Sequence, residues 1–290
     1  MTNRVRKAIF PVAGLGTRLL PATKSIPKEM ITVVDRPLIQ YAVDEAREAG
    51  IEQLIFITGR GKSSLVDYFD SAFELEEKMR GKGKSLEVLE SSRAGYGELI
   101  SVRQQEPLGL GHAVWCARDI IGDEPFAVIL PDDLMVGKPG ALKQMVDVWE
   151  KLGGNLLASE EVAADMTGSY GIVTPGKQDG AVTEVRGLIE KPAPDVAPSR
   201  LAVIGRYILQ PEVMAALGAM GRGAGGEIQL TDALAAMIGK QPFNALKVDA
   251  ERHDCGDRAG FVIANIVLAL DRPDVGGKVR DFIASLSKRP

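Results

Sequence analysis

The stretch Lys7–Arg18, KAIFPVAGLGTR, decides how the rest of the chain is read. Lys7 to Ala13 is a short apolar run of the kind a buried strand makes. It runs into Gly14-Leu15-Gly16-Thr17-Arg18, a glycine turn. In an open α/β sheet such a turn lies at the carboxyl edge of the strands, where ligands bind. Glycines let the backbone approach an anion, and their N–H groups can cradle a phosphate. Two glycines after a strand also make an ordinary tight turn, so the turn alone leaves both readings open. Two other glycine motifs fail in detail. A dinucleotide fingerprint needs a third glycine where Leu19 stands. A Walker A loop needs a glycine where Phe56 precedes Gly61-Lys62-Ser63, or where Lys78 precedes Gly83-Lys84-Ser85.

Outward from this stretch the first half alternates. Ile51 to Thr58, Leu99 to Arg103 and Phe126 to Leu130 read as strands. Leu38 to Ala49, Ser63 to Arg80 and Gly111 to Ile121 read as helices between them, with Pro37 and Gly50 bounding the first. Alternating β and α predicts a Rossmann-like, mostly parallel sheet flanked by helices on both faces. The second half is strand-rich: Asn155 to Val162, Tyr170 to Thr174, Ala181 to Ile189 and Leu201 to Leu209. Helices return at Glu227 to Ile238, Arg258 to Leu270 and Lys278 to Ser287, while the charged stretch Gly81 to Ala94 is expected to be mobile. We read one α/β domain over 1–290. The alternating part covers 1–135, the strand-rich part 136–257, and 258–290 are C-terminal helices available to an oligomer interface.

Composition narrows the function. With 35 Lys and Arg against 39 Asp and Glu, the net charge of −4 gives no electrostatic basis for nucleic-acid binding. The two cysteines, Cys116 and Cys255, are far apart and in no CxxC pair, which predicts free thiols in a reducing compartment. The basic N-terminus precedes an apolar run too short for a signal peptide, and Phe261 to Leu270 is about half a membrane span. The expectation is a cytoplasmic protein with no membrane partner.

Other segments carry chemistry. Arg18, Lys24 and Lys28 share one loop with Pro21 and Pro27, and a stiff basic loop loses less entropy on binding a polyphosphate than a free one. It also reads as a solvated loop. Gln104 ends a strand, and its amide offers both a donor and an acceptor to a ligand, or is simply a surface amide. Asp132 and Asp133 follow a buried strand, where carboxylates either hold magnesium or simply form a turn. Two histidines and two cysteines are too few to support a zinc site.

Gly14-Leu15-Gly16-Thr17-Arg18 followed by Pro27-Lys28-Glu29-Met30 resembles the loop of sugar-nucleotide pyrophosphorylases. The run Thr23–Gly61, TKSIPKEMITVVDRPLIQYAVDEAREAGIEQLIFITGRG, is similar to the bacterial UTP–glucose-1-phosphate uridylyltransferases in particular. The likeness extends through Asp254 and Gly256 and departs at Thr32, where the family usually has proline. It implies a nucleotidyltransferase fold, with 1–135 as a nucleotide-binding half and 136–257 as a sugar-phosphate-binding half, and the conversion of UTP and glucose 1-phosphate to UDP-glucose and pyrophosphate, with Mg2+.

The resemblance also implies roles. Ala13, Gly14, Gly16 and Thr17 would lie on the nucleotide, Gln104 would read the base, and the Gly109 backbone would add a contact. Gly-His-Ala at Gly111–Ala113 favours the uridylyl branch over the thymidylyl one, and His112 itself reads as structural. Arg18 and Lys28 would take the triphosphate. Asp132, with Asp254, would hold the metal. Gly171 and Glu190 would meet the sugar, and Lys191 its phosphate. The Gly226–Asp232 segment matches the family but reads as a helix start, with no chemistry assigned. The family usually forms tetramers built from dimers. Competing readings are a thymidylyltransferase or another sugar-1-phosphate nucleotidyltransferase, and a non-catalytic nucleotide-sugar sensor. An NAD-dependent dehydrogenase fails on Leu19.

Overall fold

The computed structural model describes residues 4–286, so Ser287 and the rest of the C-terminal segment lie outside it. Thirteen strands occur among the described residues: β1 Lys7–Pro11, β2 Thr32–Val33, β3 Arg36–Pro37, β4 Gln53–Thr58, β5 Leu99–Arg103, β6 Phe126–Ile129, β7 Asp133–Val136, β8 Asn155–Glu161, β9 Gly171–Asp179, β10 Val182–Glu190, β11 Leu201–Leu209, β12 Phe243–Lys247 and β13 Glu251–Asp254. Nine of them build one mixed sheet in the order β5-β4-β1-β6-β11-β8-β12-β10-β9. β5, β4, β1 and β6 are mutually parallel, so their carboxyl ends share one edge. β11 runs antiparallel to β6 and turns the sheet over to its strand-rich half.

The strands form because their apolar residues can be buried on both faces. Ala8, Ile9 and Phe10, and Leu54 to Ile57, are fully excluded from water. One face packs against Leu38–Glu48 and Ala141–Leu152, around Phe10, Phe56, Met145 and Trp149. Phe10 meets Phe56 edge to face at 5.2 Å, and Phe56 meets Phe69 at 5.6 Å. The other face packs against Leu110–Trp115, Glu212–Ala219 and Leu230–Ala235. Leu142, Met145, Val146 and Trp149 have the spacing of one helix face. The sequence reading nonetheless does not include the Ala141–Leu152 helix.

Three expected helices are shorter than their apolar spacing implied. Ser63–Arg80 breaks into Ser63–Asp67 and Phe73–Arg80, and at the start of the second the Glu76 carboxylate reaches back to accept the Ala72 N–H at 3.0 Å. Gly111–Ile121 divides into Leu110–Trp115 and Arg118–Ile121. Glu227–Ile238 begins as an extended segment and is helical only over Leu230–Ala235. Ile228 there donates to Leu108 O at 2.7 Å and accepts from Gly111 N at 2.8 Å, so its backbone is committed to the loop after β5. Within Gly81–Ala94, Glu87–Glu90 is helical, and the Ala94 N–H donates to Phe69 O at 2.9 Å. Cys116 and Cys255 are both unpaired, and no helix among the described residues is long and apolar enough to cross a membrane.

Candidate active site

Because β1, β5 and β6 are parallel, the segments that leave them open on the same edge. They enclose a cavity of about 430 Å³ lined by Ala13, Gly14, Gly16 and Thr17 after β1, Gln104 and Gly109 after β5, and Asp132 after β6, with Lys28 reaching in. The N–H groups of Gly14, Leu15, Gly16 and Thr17 have no acceptor among the described residues, the condition for an anion cradle. Gly109 sits at φ +100°, a conformation a side chain rarely adopts, and a Cβ there would lie 2.7 Å from the Glu227 side chain. That close approach lets the Glu227–Gln229 segment close the cavity.

A second cavity of about 410 Å³ adjoins the first, and Asp132 and Glu227 belong to both. Arg18, Gly171, Glu190, Lys191 and Asp254 line it. The β9–β10 ladder sets Gly171 opposite Glu190. Lys191 Nζ is 3.3 Å from Glu190 Oε1, and its backbone has φ +47°, uncommon for a residue with a side chain. Such outliers persist where the surroundings hold them, and they cluster at ligand sites. Lys24, by contrast, is exposed and lines neither cavity.

Asp132 is gripped at the junction. Lys28 Nζ donates to its Oδ2 at 2.6 Å. Burial opposes charge on both groups, but each holds the other ionised: Asp132 lies below the usual aspartate range and Lys28 above the usual lysine range. The antiparallel β7–β13 pair sets Asp133 opposite Asp254, and Cys255 N donates to Asp132 O at 2.8 Å, which brings the two distant aspartates together. A Cβ on Gly256 would stand 2.8 Å from Arg18 Nη2, 2.9 Å from Asp254 Oδ1 and 3.1 Å from Asp132 Oδ2. Gly256 thus lets the Arg18 guanidinium and the Asp254 and Asp132 carboxylates converge, and these two carboxylates are the side chains that could hold a cation. Among the described residues no three His, Cys, Asp or Glu side chains form a metal cage, so water and phosphate oxygens would complete such an ion's shell.

The supporting contacts lie outside the motifs. Arg252 donates to Asp133 Oδ1 at 2.8 Å and to the Tyr170 hydroxyl at 3.2 Å. Burial raises Asp133 above its ordinary range despite Arg252. Thr231 stands against Gly171, its Oγ1 3.1 Å from where a Cβ would be. The sequence reading assigns no chemistry to Glu227 and does not single out Thr231 or Arg252. The family likeness of Gly226–Asp232 was the available signal for the first two, and its appearance as a helix start concealed it.

A nucleotidyl transferase family model matches residues 7–266. A UTP–glucose-1-phosphate uridylyltransferase of Komagataeibacter xylinus is 54% identical over 260 residues, 89% of this chain and 92% of that one. A UTP-bound UDP-glucose pyrophosphorylase structure from Acinetobacter baumannii superposes with a TM-score of 0.88 at 40% identity, covering 97% of this chain and 99% of that one. A UDP-glucose pyrophosphorylase complexed with UDP-glucose gives 0.84 at 41% identity, covering 92% and 100%. With its glycine turn, paired cavities and junction aspartate in the same fold, the chain belongs to the nucleotidyl transferase family, among the UTP–glucose-1-phosphate uridylyltransferases.

Proposed function

We propose that this protein joins UTP and glucose 1-phosphate into UDP-glucose and pyrophosphate. The observation that carries the reading is the pair of cavities meeting at Asp132, one with a glycine cradle and Gln104, the other with Glu190 and Lys191. Relatives named for this reaction, and neighbours solved with UTP and with UDP-glucose, support it. Residues 1–135 supply most of the nucleotide side and 136–257 most of the sugar side, with Glu227 crossing to the first cavity.

In this reading a phosphate oxygen of glucose 1-phosphate attacks the α-phosphorus of UTP in line, and pyrophosphate leaves. The nucleophile is already an anion near neutral pH, so no side chain needs to remove a proton. The residues must align two anions and neutralise the charge that moves onto the leaving group. The N–H groups from Gly14 to Thr17 hold phosphate oxygens. Lys28 takes the triphosphate from the first cavity, and Arg18, which lines the second, reaches the phosphates at the junction by Asp132. Lys191 holds the attacking phosphate, and Glu190 accepts sugar hydroxyls beside Gly171. Asp132 and Asp254 would hold magnesium, which when bound supplies positive charge to the phosphates. The exposed Val262, Ile263 and Phe282 on the C-terminal helices form the surface we assign to a homotetramer, a dimer of dimers.

The test is pyrophosphate release with magnesium, pairing UTP and TTP in turn with glucose 1-phosphate, and UTP with galactose 1-phosphate. Release confined to UTP with glucose 1-phosphate is expected. Preference for another pair would move the substrate, and no release with any pair would leave a binding protein.

A further inference from the structure

Gln104 is the buried end of the nucleotide cavity, 7% exposed, and its amide is held on two sides. Nε2 donates to Gly109 O at 3.1 Å and lies 3.0 Å from His112 Nδ1. A backbone carbonyl only accepts, so it is the amide nitrogen and not the oxygen that faces Gly109. The second amide hydrogen then points at the imidazole, and Nδ1 must be the unprotonated, accepting nitrogen. Both amide hydrogens are thereby used. Gln104 Oε1 has no protein partner among the described residues and is the polar atom the amide can offer a ligand. An amide free to turn could read the edge of a base with a donor or an acceptor. This one reads with an acceptor.

We infer that His112, neutral and carrying its proton on Nε2, is a positioning residue that locks the Gln104 amide so that only a pyrimidine with an N3–H donor is accepted. This deepens the uridylyltransferase reading and rests on it. Uracil has that N–H. Cytosine has a bare N3 lone pair there, which would face Oε1 and leave two buried acceptors opposed. A site built around one hydrogen bond rejects a ligand that lacks the partner much more strongly than it rejects a change of size. The Gly109 N–H has no acceptor among the described residues and lies on the same wall, available for a pyrimidine carbonyl.

The groups around His112 keep it neutral. It sits on Leu110–Trp115, with Cys116 Sγ 4.0 Å from Nδ1 and the Trp115 ring 5.9 Å away. Burial lowers its pKa below the ordinary histidine range, Arg118 on the next helix adds to this, and Glu106 in the preceding loop opposes it. The Cys116 thiol is itself raised by burial and stays protonated. Below the lowered pKa of His112 a proton on Nδ1 would confront the amide N–H₂, and the acceptor would leave its place.

The experiment compares kcat/KM for UTP and for CTP, each with glucose 1-phosphate, in wild type, His112→Asn and His112→Phe across pH 5 to 8. The Asn carbonyl can stand where Nδ1 stands and accept the same hydrogen, but it does not titrate. Wild type should prefer UTP at neutral pH and show a rise in KM for UTP in acid. Selectivity is read at neutral pH, because cytosine N3 itself takes up a proton toward pH 5. His112→Asn should keep the neutral-pH preference and show a smaller acid rise in KM for UTP than wild type. His112→Phe should lower the neutral-pH preference by about tenfold, the scale of one hydrogen bond to a buried group. Unchanged selectivity in His112→Phe, or an acid rise in KM for UTP as large in His112→Asn as in wild type, would overturn the inference. If His112→Phe does not fold, the comparison of wild type with His112→Asn still decides it. Absence of UTP turnover in wild type would instead refute the uridylyltransferase reading itself.

Discussion

Asp132 is the side chain on which both cavities depend, since Lys28 bonds it at 2.6 Å and Arg18 and Asp254 border the same small space. Asp132→Asn keeps the shape and removes the charge. We expect kcat to fall by at least about 100-fold, the scale of a lost electrostatic contributor, in steady-state assays at saturating magnesium. Lys191 is held in an uncommon backbone conformation with its ammonium on the sugar side. Lys191→Ala should raise KM for glucose 1-phosphate by about 10–100-fold, the worth of a charged hydrogen bond. UTP affinity measured by calorimetry should barely change, and its collapse would misplace the sugar side.

At the scale of elements, the site depends on segments that approach closer than side chains allow. The loop after β5 takes its shape from Gly109, whose Cβ position is 2.9 Å from Ile228 O. Gly109→Ala combines a positive φ with that clash. Denaturant unfolding should show a loss of about 1–3 kcal/mol, accompanied by weaker UTP binding as the Glu227–Gln229 segment is pushed out. The glycine and its neighbours were legible as a loop. Its partner segment was not, because Leu230, Leu234 and Met237 have helical spacing and only the hydrogen bonds to Leu108 and Gly111 show that the helix starts later.

For the whole molecule, the catalytic edge is braced by a buried ion pair that joins sheet and helix. Arg206 on β11, 1% exposed, donates to Glu45 of Leu38–Glu48 at 2.7 Å and to Leu130 O at 3.0 Å, while Glu45 also accepts Leu142 N at 2.9 Å. Glu45→Ala would leave a buried guanidinium short of its carboxylate. We expect a loss of about 3–5 kcal/mol in urea unfolding. A loss under about 1 kcal/mol, the range of surface pairs, would show that water replaces the carboxylate. The C-terminal helices present Ile263 and Phe282, each more than half exposed. Phe282→Asp should lower the mass measured by light scattering if they form the assembly surface, and an unchanged mass would place the interface elsewhere.

The alternating first half, the glycine turn after β1 and the carboxylate after β6 were legible in the chain before any fold was known. Each of these is local: a run of buried residues, a residue without a Cβ, a charged group directly after a strand. It also carried the family likeness. That Asp254 meets Asp132 was present in the chain only as part of that likeness; physically it follows from the β7–β13 pairing between segments more than a hundred residues apart. β12 escaped for a similar reason: its residues read as strand only when laid parallel beside β8. The role of Glu227 and the orientation of the Gln104 amide belong to the same class. A hydrogen bond is directional and requires both partners in place, whereas burial patterns are written into one segment at a time.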